Sequence, residues 1–91
     1  MAKFIIVVDF IESDVELSKL VFNFLKTKGN CLQLTVHSFM LSADTDPVEL
    51  RDAIKIVDER IKRIFVSQMI PPAAWGNSLS ENSDIKALFN E

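Results

Sequence analysis

Asp9 closes an unbroken apolar run, Phe4-Ile5-Ile6-Val7-Val8, and a carboxylate at the exit of a buried strand has two uses. It bonds backbone amides where the strand ends, or it begins a site as a metal ligand or interface group. His37 is the only histidine, and it is either a general base or a structural ring. Glu12 and Asp14 follow Asp9 closely, where acids either enlarge a metal site or complement the positive end of a helix. Arg51, Lys55, Arg60, Lys62 and Arg63 make a basic edge suited to RNA, yet Asp52, Asp58 and Glu59 interleave with them as in ordinary helix pairing. Cys31 has no cationic neighbour in sequence and reads as a packing residue. Trp75 either stacks on a base or anchors the C-terminal tail.

Several chemistries are excluded. With only 2 glycines and none between Asp9 and Ser13, there is no backbone cradle for nucleotide phosphates. No Gly-x-Ser-x-Gly elbow, His-Glu-x-x-His helix or cysteine ladder occurs, which removes the common hydrolase and zinc signatures. A formal charge of −3 argues against a broadly basic nucleic-acid binder, so any such contact needs a local patch. A single cysteine rules out an intramolecular disulfide and suits a reducing compartment. No apolar run approaches the ~18 residues of a membrane span, and no signal peptide is expected. These features predict a soluble, cytoplasmic protein without membrane contact.

The elements that must position these groups follow from periodicity. At 91 residues and 48% apolar content the chain is long enough for one core. Lys3 to Asp9 lacks alternation and predicts a central strand. Ser13-Asp14-Val15-Glu16 has the form of a capping box, and Leu17, Leu20, Val21, Phe24 and Leu25 form one apolar helical stripe that Gly29 stops. Cys31 to Ala43 is too long for one strand and predicts two, joined near Thr35 and Val36, although no Gly or Asn marks the turn. Asp46-Pro47-Val48-Glu49 restarts a helix, with Leu50, Ala53, Ile54, Val57 and Ile61 buried and Lys62-Arg63 at its end. Ile64 to Ile70 is the closing strand.

The predicted class is α+β: a ferredoxin-like βαββαβ sandwich over residues 1–70, an antiparallel sheet with both helices on one face. Residues 71–91 form a C-terminal tail in which a short helix from Ser83 to Asn90 can dock Ile85, Leu88 and Phe89. The second sheet face is then bare, so a homodimer or another partner is expected to cover it.

Phe4-Ile-Ile-Val-Val-Asp9, the helix ending at Gly29, Val36-His-Ser-Phe-Met-Leu41, Pro47-Val-Glu-Leu-Arg-Asp-Ala-Ile54 and Arg63-Ile-Phe-Val-Ser67 together resemble, in order and spacing, the small CRISPR-associated adaptation endonucleases. The virulence-associated protein D ribonucleases share the plan. The resemblance spans roughly residues 3 to 70 and implies a homodimer in which Asp9 meets its symmetry mate and the pair holds Mg²⁺ for cleavage of RNA or DNA, in a defence or toxin setting. Ser38 matches a small polar position on the third strand; a nuclease reading adds His37 by residue type, giving Asp9, His37 and Ser38 as its catalytic set, and places Lys55, Lys62 and Arg63 of the basic edge on nucleic acid. This chain departs from the family in carrying Phe10, Ile11, Glu12, Asp14 and Glu16 where basic residues are common. The alternative expectation is a non-catalytic dimeric scaffold for a protein or nucleic-acid partner.

Overall fold

The computed structural model describes residues 1–11, 15–70, 76 and 80–90. Ser13 of the expected capping box, the acids Glu12 and Asp14, and Trp75 of the tail lie outside them. The apolar run forms β1, Ala2–Phe10, followed by α1 (Val15–Lys26), β2 (Asn30–Thr35), β3 (Ser38–Ala43), α2 (Pro47–Lys55), β4 (Ile61–Met69) and α3 (Asn82–Phe89). The four strands make one sheet in the order β2-β3-β1-β4, with every neighbouring pair antiparallel. This small α+β domain is compatible with a ferredoxin-like fold to which a third helix is added.

Strand alternation divides β1 between two environments. Phe4, Ile6, Val8 and Phe10 are buried with Phe39 and Leu41 of β3, Leu17, Val21 and Leu25 of α1, and Leu50 and Ile54 of α2, in one core. Gln33 of β2 reaches across to donate from Nε2 to the buried Ser18 hydroxyl at 2.6 Å, which satisfies a polar group inside this layer. The expected stripe of α1 is shifted: Leu20 is 42% exposed, while Ser18 takes a buried place. Gly29 is needed for a different reason than a helix stop. A Cβ there would collide with the Ser42 carbonyl oxygen and crowd the Ala43 Cβ, so the glycine lets the chain pass directly against β3.

The β2–β3 turn at Val36 and His37 works without Gly or Asn because side chains close it. The Thr35 and Ser38 hydroxyls bond at 2.7 Å, and the His37 amide donates to Thr35 Oγ1 at 3.1 Å. At α2 the Asp46 carboxylate accepts from the Glu49 amide at 2.9 Å, as the cap pattern predicts.

Two expectations are corrected. First, α2 ends at Lys55 and β4 begins at Ile61, so Ile61, Lys62 and Arg63 belong to the strand and not to the helix. Past Lys55 the Val57 amide falls back to the Ile54 carbonyl at 3.0 Å, and Asp58 then accepts from the Arg60 amide at 2.8 Å and from its guanidinium at 2.9 and 3.0 Å, closing a turn that leads into β4. Those bonds hold the Asp58 carboxyl down at about 2. Second, the other sheet face is not bare. Ile85 and Leu88 of α3 are fully buried against Met40, with Ile5, Leu32, Leu34, Met69 and Phe89 around them. The tail helix thus covers one part of this face and leaves Val7, 40% exposed, and Phe65, 61% exposed, at the other.

Candidate functional site

The uncovered end of that face is where β1 terminates. Asp9 lies opposite Arg63 on β4, and Phe10 lies opposite Ile61, so the register slips by one and Lys62 has no residue facing it. A bulge of this kind bends a strand and re-aims its side chains. Arg63 Nη1 donates to Asp9 Oδ2 at 3.2 Å, with the two side chains 72% and 49% exposed.

His37 comes to the same place from the β2–β3 turn. Its carbonyl accepts from the Val8 amide at 2.8 Å, and its Nδ1 lies 3.1 Å from the Val8 carbonyl oxygen. A carbonyl oxygen only accepts, so Nδ1 carries a proton, and in the neutral ring the lone pair then resides on Nε2. The Phe10 ring packs against the imidazole with centroids 5.4 Å apart, restricting the ring plane. The hydrogen bond to the end of β1 thus selects the tautomer of the neutral ring, and the Phe10 contact limits its orientation.

These groups share a groove of about 750 Å³ lined by Val7, Val8, Asp9, His37, Arg63, Ile64 and Phe65. Its lining combines a carboxylate, a guanidinium and an imidazole with the exposed apolar side chains of Val7 and Phe65. Of the residues expected at the site, Asp9 and His37 are brought together, and Arg63 joins them from the basic edge. Ser38 is adjacent in the sheet, opposite Val7, but its hydroxyl is engaged in closing the turn with Thr35. Lys55 sits at the end of α2 and does not line the groove; Lys62 is exposed at the bulge. Phe65 was not anticipated as part of a site. Its one sequence signal is alternation with Arg63 along β4, which places both on the face that carries Asp9.

The residues also bear on Mg²⁺. Among the described residues, Asp9 is the one carboxylate lining the groove, and no three potential ligands cluster anywhere. The guanidinium of Arg63 already occupies one of its oxygens. A single copy of these residues does not fit a divalent ion, which requires several oxygen donors.

Cys31 of β2 is buried in the main core, and burial raises its thiol to about 12, with the Lys26 charge acting the other way. It is a packing residue because of its burial, although the fold brings it one cation, Lys26, that the local sequence does not show. No helix among the described residues is long and apolar enough to cross a membrane. No protein-family model matches the chain, and no curated protein matches it in sequence.

Proposed function

We propose that this chain is a homodimeric, nuclease-like protein of ferredoxin-like plan that acts on nucleic-acid phosphodiesters in the groove at the end of β1. The observation that supports this reading is the convergence of Arg63, Asp9 and His37 on one exposed groove from three separate segments. Arg63 offers a planar donor set for a phosphate, and the adjacent Lys62 adds charge at the bulge. Asp9 holds the guanidinium in place until a phosphate competes for it. His37, with its lone pair on Nε2, accepts a proton from an attacking hydroxyl. The resemblance to adaptation endonucleases and toxin ribonucleases points the same way. In that family the metal is held by two aspartates from two subunits, so a Mg²⁺ site here needs the second Asp9.

The test is cleavage of labelled single- and double-stranded RNA and DNA by wild type, His37→Gln and Arg63→Ala. Loss in both variants, each still folded by circular dichroism, is expected; cleavage at the wild-type rate in both would overturn the site.

A second reading is favoured by the exposure of Phe65 and Val7 beside an ion pair that is self-complementary under a two-fold axis. On this reading the chain is a non-catalytic dimer whose sheet ends meet and which serves as a platform for a protein or nucleic acid. It predicts a dimer in sedimentation that Phe65→Glu converts to a monomer, with no cleavage of any substrate.

A further inference from the structure

We infer that the groove cleaves RNA only, without a metal ion, by making the substrate's own 2′-hydroxyl the nucleophile. The inference rests on the nuclease reading above and specifies its substrate and reaction. Hydrolysis of DNA needs water to be activated as the nucleophile, and enzymes usually supply this with one or two divalent ions held by several carboxylates. In each copy the described residues of this groove supply one carboxylate, and Arg63 already holds it at 3.2 Å, so a facing pair would offer only two carboxylates, each engaged by a guanidinium. What they do supply is the minimum for transfer within RNA: an imidazole whose neutral form has a defined tautomer, and a cation beside it.

The Nδ1 of His37 is committed to the Val8 carbonyl at 3.1 Å, so Nε2 is the nitrogen with a lone pair to offer. The 2′-hydroxyl gives its proton to Nε2 while its oxygen attacks the adjacent phosphorus. The P–O2′ bond forms and the P–O5′ bond breaks. The departing 5′-oxygen takes a proton from water, and the imidazolium returns its proton to the hydroxide that remains. The products are a 2′,3′-cyclic phosphate and a 5′-hydroxyl, with no net change in the protein. Arg63 offsets the charge that builds on the phosphoryl oxygens. The exposed Phe65 ring, two residues along the same face, offers an unpaired base a surface to stack on, which favours single-stranded over duplex RNA.

The experiment uses the full chain with end-labelled single-stranded RNA, the same sequence as DNA, and RNA carrying 2′-O-methyl groups, each with excess EDTA and with Mg²⁺. Cleavage of the unmodified RNA alone is expected, undiminished by EDTA, with cyclic-phosphate ends. His37→Gln should slow it by about 100-fold or more, the scale of general-base catalysis. Phe65→Leu should weaken single-strand binding several-fold with Arg63 intact. Cleavage abolished by EDTA, or equal cleavage of DNA, overturns this inference and leaves the nuclease reading standing. No cleavage of any nucleic acid by folded wild type overturns both.

Discussion

Asp9 and Arg63 face each other across the β1–β4 pair at the residue where its register slips, and their side chains meet at 3.2 Å although 54 positions separate them in sequence. The pair is exposed, so its contribution to stability is small: exposed ion pairs are worth about 0.2 to 1 kcal/mol. A double-mutant cycle with Asp9→Ala and Arg63→Ala, read by urea unfolding, should give a coupling within that range and falling with salt. A coupling well above it would make the pair a structural clamp instead of part of a groove that opens to a ligand.

Gly29→Ala should destabilise the fold by about 1 to 3 kcal/mol, as overpacking against an unyielding neighbour does. The atoms in its way are the Ser42 carbonyl and the Ala43 Cβ of β3, neither of which can swing aside. Chemical denaturation of this variant beside wild type checks the size, and an unchanged midpoint would show that β3 can give way.

Cys31 should stay unreactive to thiol reagents in the native protein and react on unfolding. Burial holds its proton up to about 12 when folded, against an ordinary 9.0 when unfolded. The folded chain therefore binds that proton more tightly. The stabilisation is complete below about pH 9 and is lost as pH climbs toward about 12. Unfolding midpoints measured across this window should fall with pH in wild type and fall less steeply in Cys31→Ala.

The helix α3 should be the first element to open. It buries Ile85 and Leu88 in a cluster separate from the main core, and its N-terminal Glu81 makes no side-chain cap. Hydrogen exchange should be faster over residues 82–89 than over β1. Leu88→Ala should cost about 2 kcal/mol or more by leaving Met40 and Leu32 poorly covered, and should raise the binding of apolar dyes. Equal protection of α3 and β1 would mean that the two clusters unfold as one.

Local patterns were legible in the sequence, and long-range register was not. The unbroken apolar run gave away β1 because its core face is buried throughout and α3 packs on Ile5 of the other, and Asp46-Pro47 marked the start of α2 through its own cap. The end of α2 is not legible because Lys62-Arg63 looks like a helix terminus, whereas the helix stops at Lys55 and an Asp58–Arg60 turn that carries no Gly leads into β4. The bare second face was misread for another reason: Ile85 and Leu88 show an apolar pair but not the surface they will meet. Asp9 and His37 were visible as chemistry by residue type. Their sharing a groove with Arg63 depends on strand pairing, and a one-residue slip in β4 would have turned Arg63 and Phe65 to the opposite face.

Because His37 is the only histidine, its imidazole proton signals can be followed in the intact protein without ambiguity. Titrating wild type and Arg63→Ala with 2′-O-methyl RNA, which cannot use its 2′-oxygen as a nucleophile, asks directly whether a phosphodiester strand enters the groove. Saturable shifts of the His37 signals in wild type, weakened several-fold in Arg63→Ala, are the predicted result. Strand binding that leaves the His37 signals unmoved, or no binding at all, would contradict the account.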